Sequence, residues 1–176
     1  MIKEILTSSN PKLRMPSKKV GKIDKKIRSL IEDLRDTLIA QKDPEGVGLA
    51  APQIGVNLKV FIIKPSKSDK VFINPEILSK SKKKKSPKKG KQYKKIMEGC
   101  LSLPHFYSAI ERDYLVKLKY TQENGKEATE TFEGIEAQIV EHEVDHLNGI
   151  LFVDRLLEQK KPLFEYKNGE WEEVEL

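Results

Sequence analysis

The 176-residue chain has one cysteine and three histidines, and no apolar run approaching about 18 residues. One cysteine excludes an internal disulfide, and with it a bridge-stapled secreted scaffold. The lack of a long apolar run leaves no expected transmembrane helix. The first residues, MIKEILTSSNPKLR, carry no apolar core and no small-residue cleavage site, and read as mature protein. Hydrophobic residues make up 38% and mean hydropathy is −0.56. That is polar for a globular chain yet too apolar for a disordered one. The expectation is one soluble domain over residues 1–176, in a reducing, cytoplasmic setting.

Acidic residues are missing from one stretch. Residues 80–95 hold ten lysines and no Asp or Glu. Removing those ten charges from the total of +6 leaves the other 160 residues at −4. The body is mildly acidic, and the basicity belongs to a lysine-rich inserted loop at about 79–96. Blocks of like charge repel and stay extended and solvated. The loop is expected to be a solvated one on a hairpin, with docking to ribosomal RNA as the functional alternative. Tyr93 is its single aromatic, so no sequence-specific nucleic-acid binding is expected.

Ile23, Ile27, Leu30, Ile31, Leu34, Leu38 and Ile39 follow a 3.6-residue period and predict a helix over residues 24–41. Asp24 is the expected N-cap, and Asp43-Pro44 stops the helix. GVGLAAPQIG, residues 46–55, is small and apolar, unlike an exposed loop. LKVFII (58–63) and VFIN (71–74) read as strands around a polar turn. YLVKLKY (114–120) and EATETF (127–132) alternate as strands about Asn124-Gly125, a two-residue hairpin signal. Asn168-Gly169 predicts a second hairpin at the C-terminus. A helical pattern over 135–148 ends at Gly149, well placed as the residue after the cap. Strands, hairpins and two helices imply an α+β fold with antiparallel pairing.

The strongest chemical signal is His142-Glu143-Val144-Asp145-His146. On a helix, positions i and i+4 share a face, so both imidazoles can reach one metal ion, with Glu143 placed as general base. Ile139, Val140 and Leu147 imply that this helix is buried, and buried imidazoles need partners. A catalytic metal usually takes three protein ligands. Asp154, Glu158 and Glu165 are downstream candidates for the third, and Cys100 and His105 are upstream ones. On the residues alone, a metallopeptidase using a downstream carboxylate and a ribosome- or RNA-binding protein acting through the lysine-rich loop are the alternatives to a Cys100-ligated hydrolase.

GVGLAAPQ (46–53), EGCLS (98–102) and HEVDH (142–146), in that order, resemble peptide deformylase. The resemblance runs from Asn10-Pro11-Lys12-Leu13-Arg14 to Leu151-Phe152-Val153-Asp154-Arg155. It implies antiparallel strands and hairpins packed around a central metal-binding helix. It also implies a metal-dependent hydrolase that removes the formyl group from the N-terminal formyl-methionine of nascent peptides. Cys100, His142 and His146 would hold one divalent metal with water as fourth ligand. Ferrous iron is the family's usual ion, with nickel, cobalt or zinc able to occupy the site. Glu143 would serve as base and then acid. The Gln53 amide and the Leu101 backbone N–H would stabilise the developing oxyanion. Gly48 would lie beside the substrate backbone, and Val47 and Ile139 would wall the methionine pocket. Glu98 would orient the site, and Asp145 would make a structural hydrogen bond. The chain departs from the family at His105-Phe106-Tyr107, where an arginine of some members is not matched at Tyr107, and in the lysine-rich loop.

Overall fold

The computed structural model describes residues 1–64, 69–82 and 97–175. Most of the lysine-rich stretch, residues 83–96, lies outside the described residues, as does most of the turn at 65–68. The first helix, α1 (Lys25–Ala40), starts where the sequence predicts. The Asp24 side chain accepts hydrogen bonds from the Lys26 and Ile27 N–H groups, satisfying two donors the helix leaves open. Ile27, Leu30, Ile31, Leu34 and Leu38 are buried, but Ile39 is 54% exposed. Ile39 sits at the border of the apolar stripe, and Thr37 takes the buried position instead. Thr37 can be buried because its hydroxyl donates to Asp33 O (2.6 Å).

Strands β1 (Gly48–Ala50), β2 (Val60–Ile63), β3 (Lys70–Ser81), β6 (Leu115–Thr121) and β7 (Glu127–Glu133) form an antiparallel sheet in the order β1-β2-β3-β6-β7. Its inner strands are apolar on both faces because helices cover both. Leu49, Val60, Ile62, Val71 and Ile73 face α1. Ala50, Phe61, Ile63 and Phe72 face α2 (Ile135–Leu147). Phe61 and Phe72 are cross-strand partners with rings stacked 4.5 Å apart, and the Phe72 ring meets Phe132 edge-on at 5.6 Å. Burying each such ring contributes about 1.5–3 kcal/mol.

A second antiparallel sheet, in the order β4-β5-β8-β9, comprises β4 (Glu98–Cys100), β5 (Leu103–Ser108), β8 (Leu163–Lys167) and β9 (Glu170–Val174). It packs Leu103, Phe106, Leu163 and Val174 on Phe152 and Leu156 of α3 (Phe152–Glu158), a short helix the sequence pattern did not predict. The C-terminal hairpin turns through Asn168 and Gly169, both left-handed, as a two-residue loop requires. The other Asn-Gly loop is longer: Gln122 N–H reaches Lys126 O, and Gly125 alone of the pair is left-handed. The expected α+β antiparallel fold is observed, with α2 lying between the sheets. No described helix is long and apolar enough to cross a membrane.

Candidate metal centre

Helix α2 is buried over most of its surface, which brings polar residues deep into the protein. His142 and His146 project from one face, as their i,i+4 spacing dictates. Cys100 ends β4, where the register shifts between Gly99 and Cys100. One ligand-type atom from each of Cys100, His142 and His146 lies within 4.8 Å of the others. Cys100 Sγ is 3.3 Å from His146 Nε2. Among the described residues these three form the one His/Cys/carboxylate group of that kind. Asp154 instead accepts from Leu151 N–H and pairs with Arg14, and Glu158 pairs with Arg155. Glu165 lies on β8 opposite Phe106. None of the downstream carboxylates reaches the histidines.

His142 Nδ1 lies 2.8 Å from Glu98 Oε1. A carboxylate accepts, so Nδ1–H donates, and Nε2 is the nitrogen that faces the cluster. Glu98 is itself fixed by two hydrogen bonds from Arg112 (2.7 and 3.0 Å) and one from Gln138 (3.2 Å). Arg112 reaches on to Asp145 (2.7 Å), which also takes two bonds from Arg155. Asp145 thus points away from the ligand face, as the sequence pattern suggests. Arg112 and Glu98 are 7% and 5% exposed, so this ion network is buried and each charge depends on its partners.

Electrostatics suit the site to a cation. Burial disfavours a Cys100 thiolate, but the His146 and His142 imidazoles outweigh it and hold the thiol well below its ordinary pKa. Burial likewise disfavours imidazolium at His142, but Cys100 and Glu98 raise its pKa well above the usual value. A cysteine held as thiolate is already in the form that ligates a metal ion, and an ion that binds there displaces the protons of the imidazoles. One soft sulfur and two imidazole nitrogens, with a position left open, form a donor set for a divalent metal. The residues present fit such an ion.

Glu143 sits beside the cluster, 3% exposed, and its Oε2 has no hydrogen-bond partner among the described residues. Burial pushes its pKa up to about 7, against the pull of the two histidines. Gln53, 1% exposed, follows β1 on a short 3-10 turn. Its Oε1 accepts from Ala50 N–H (2.9 Å), which orients Nε2 toward Ser102 Oγ (3.2 Å) and Cys100 Sγ (3.7 Å).

These groups open on a cleft of about 470 Å³. Gly48, Val47, Ile139 and Leu101 line it, as does His105. Gly48 has a packing reason for its missing side chain. A Cβ built there would collide with Glu143 Oε1 and come 3.1 Å from Ile139 Cγ2. Sequence reasoning did not place Tyr166 or Asp43 at the site, yet both line the cleft.

A family model described as polypeptide deformylase matches residues 2–162. The peptide deformylase of Pseudothermotoga lettingae is 43% identical over 154 residues, covering 88% of this chain and 82% of the relative. That of Aquifex aeolicus is 41% identical over 162 residues, covering 89% and 88%. The crystal structure of peptide deformylase from Thermotoga maritima superposes with a TM-score of 0.76 at 35% identity, covering 88% of this chain and 97% of that one. Matched along nearly its whole length, the chain belongs to the polypeptide deformylase family.

Proposed function

We propose that this chain hydrolyses N-formyl-methionyl peptides, with Cys100, His142 and His146 holding one divalent metal and Glu143 moving the proton. The observation that carries the reading is the convergence of the sulfur and two imidazoles with the unpartnered Glu143 Oε2 on one cleft. A divalent ion bound there supplies Lewis-acid activation of water and of the formyl oxygen. Ferrous iron is the proposed resident ion, on the motif resemblance, since the donor set accepts several metals.

The chain's own residues divide the remaining work. Glu143 takes a proton from the attacking water and delivers it to the leaving nitrogen, so the formyl C–N bond breaks to give formate and a free methionyl amine. Burial raises the Glu143 pKa and a bound cation would draw it back down, and a carboxyl balanced between the two suits both duties. Gln53 Nε2–H and the Leu101 N–H donate to the oxygen that gains negative charge. The Gln53 amide is already oriented by Ala50, so little reorganisation is needed.

Strand β1 is the edge of its sheet. Val47 C=O accepts from Lys64 N–H on the β2 side, while Ala50 N–H turns away to Gln53. By strand alternation, the Gly48 backbone groups face the open edge, where an extended peptide can add as a strand. Val47 and Ile139 then flank the methionine side chain. Nascent formyl-methionyl peptides in a bacterial-type cytosol are the proposed partners.

Formate release from formyl-Met-Ala-Ser, measured anaerobically with ferrous-loaded protein, tests the reading. Turnover that disappears on metal removal is expected. No formate with any loaded metal, alongside normal metal content, overturns it.

A further inference from the structure

Lys80 opens the lysine-rich stretch, yet its charge is not left to solvent. It lies near the end of β3, where its Nζ donates to Glu141 Oε1 (2.9 Å) and pairs with Asp113 Oδ2 (3.3 Å). The lysine side chain is 44% exposed, whereas that of Glu141 is 6% and that of Asp113 16%. A half-exposed cation thus reaches two carboxylates that the fold holds largely out of water.

Glu141 stands on α2, immediately before His142. Its second oxygen, Oε2, accepts from the Asp113 N–H (2.8 Å). The next N–H, that of Tyr114, donates to Ser81 O at the end of β3 (3.0 Å). Consecutive N–H groups at the entry to β6 are therefore fixed, one to α2 and the other to β3. Arg112 directly precedes them, and its guanidinium joins Glu98 to Asp145. A path of contacts runs from Lys80 through Glu141 to the Asp113 backbone, and from the adjoining Arg112 to Glu98 and the His142 Nδ1–H. Its first link is sensitive to charge. Removing the Lys80 ammonium takes a cation from a buried carboxylate, which then gains by turning to solvent or by taking up a proton. Either change weakens its hold on the Asp113 N–H, because an ionised acceptor makes the stronger hydrogen bond.

We propose that Lys80 is a positioning residue for the metal centre: its bridge from β3 to Glu141 and Asp113 holds the Arg112 segment against α2, and so keeps Glu98 and His142 in the geometry that binds the ion. Lys80 acts through these residues and is not itself a ligand. The inference rests on the metal centre of the deformylase reading and adds to it a residue of β3.

Charge and position make opposite predictions for Lys80→Met. A cation near a metal site repels the ion, so its removal by charge alone tightens metal binding. Loss of position weakens it. Chelator competition with the cobalt-loaded full chain reads the sign. Affinity is expected to fall about three- to tenfold in K80M, less than for loss of Glu98, which bonds the ligating histidine directly. The visible bands of bound cobalt report ligand geometry and should shift in K80M. K70M removes an equal charge from the other end of the same strand, where Lys70 pairs with Glu130, and should keep both affinity and bands. K80R keeps donors for the two carboxylates and should restore affinity to within about twofold. In an E98Q background K80M should add less than about twofold, because the path it acts through is already broken. Unchanged or tighter binding in K80M overturns the proposal, as does an equal loss in K70M or a fully additive loss on top of E98Q. None of these readouts needs turnover. Absence of formate from the unaltered chain removes the deformylase reading, and the positioning role still stands or falls on metal affinity.

Discussion

His142 donates its Nδ1 proton to Glu98 across 2.8 Å, and Glu98 is clamped in turn by the Arg112 guanidinium. The imidazole is thus held in one tautomer with Nε2 toward Cys100. Glu98→Gln keeps the shape but removes the charge that favours this arrangement. Metal affinity should fall by about 10–100-fold, the usual effect of losing a partner behind a ligating histidine. Competition against a graded series of chelators reads this directly; unchanged affinity would mean that Glu98 does not tune the site.

Ligation and proton transfer separate by substitution. Cys100→Ser removes the sulfur, and the protein should lose its metal on dialysis and its activity with it. Glu143→Gln touches no proposed ligand, so metal content should stay at the level of the unaltered chain while kcat drops by about 10²–10⁴-fold. Metal analysis beside formate release distinguishes the two. Full metal retention in Cys100→Ser would return the downstream carboxylates to consideration, although Asp154 and Glu158 are engaged elsewhere.

Gly48 fits closely against Glu143. Gly48→Ala places a methyl group against Glu143 Oε1 and near Ile139, both on the buried helix α2. The carboxylate has to shift, and positioning errors of this kind cost catalysis steeply. kcat/KM should fall about 100-fold or more with metal content retained. Near-normal turnover would show that Glu143 has freedom the packing does not suggest.

What was legible in the sequence was mostly local. Asp24 caps α1 and His142 and His146 share a face because capping and helix periodicity act over a few residues. The Cys100 contribution depended on resemblance, since Cys100 and His146 are 46 residues apart and no local rule joins them. Ile39 misled because periodicity gives a stripe without its exact edge. Helix α3 has seven residues, too few for a periodic pattern to stand out. Tyr166 reaches the cleft through the β5–β8 pairing, a long-range contact with no signature in its own neighbourhood.

Buried charge makes the site acid-sensitive. Burial opposes ionisation of Asp145 and Glu98, but Arg155 and Arg112 for the first, and His142 and Arg112 for the second, hold both carboxyls below their ordinary pKa. A depressed folded-state pKa contributes stability that is present above the unfolded value, about 4, and is lost as pH falls through the folded value. Tm of the metal-loaded protein should therefore change little from neutral pH down to about 5 and decline below about 4. Arg112→Met leaves two carboxylates buried without their shared cation and should destabilise by about 3–5 kcal/mol. It should also shift the acid transition to higher pH. A transition unmoved by Arg112→Met would assign acid sensitivity to other groups.

The rate profile tests Glu143 as the base. Burial raises its pKa to about 7, and a base must be ionised to act. Activity is therefore expected to rise with pH through the Glu143 pKa and level off above it. A divalent cation in the neighbouring site favours the carboxylate, so the acid limb of kcat/KM in the loaded enzyme should lie below about 7 rather than above it. Glu143→Gln has no such group to titrate, and its residual activity should lose that limb. The measurement is kcat/KM against pH for both proteins at constant metal occupancy. An identical acid limb in the glutamine variant would assign the titration to another group and take the base role from Glu143.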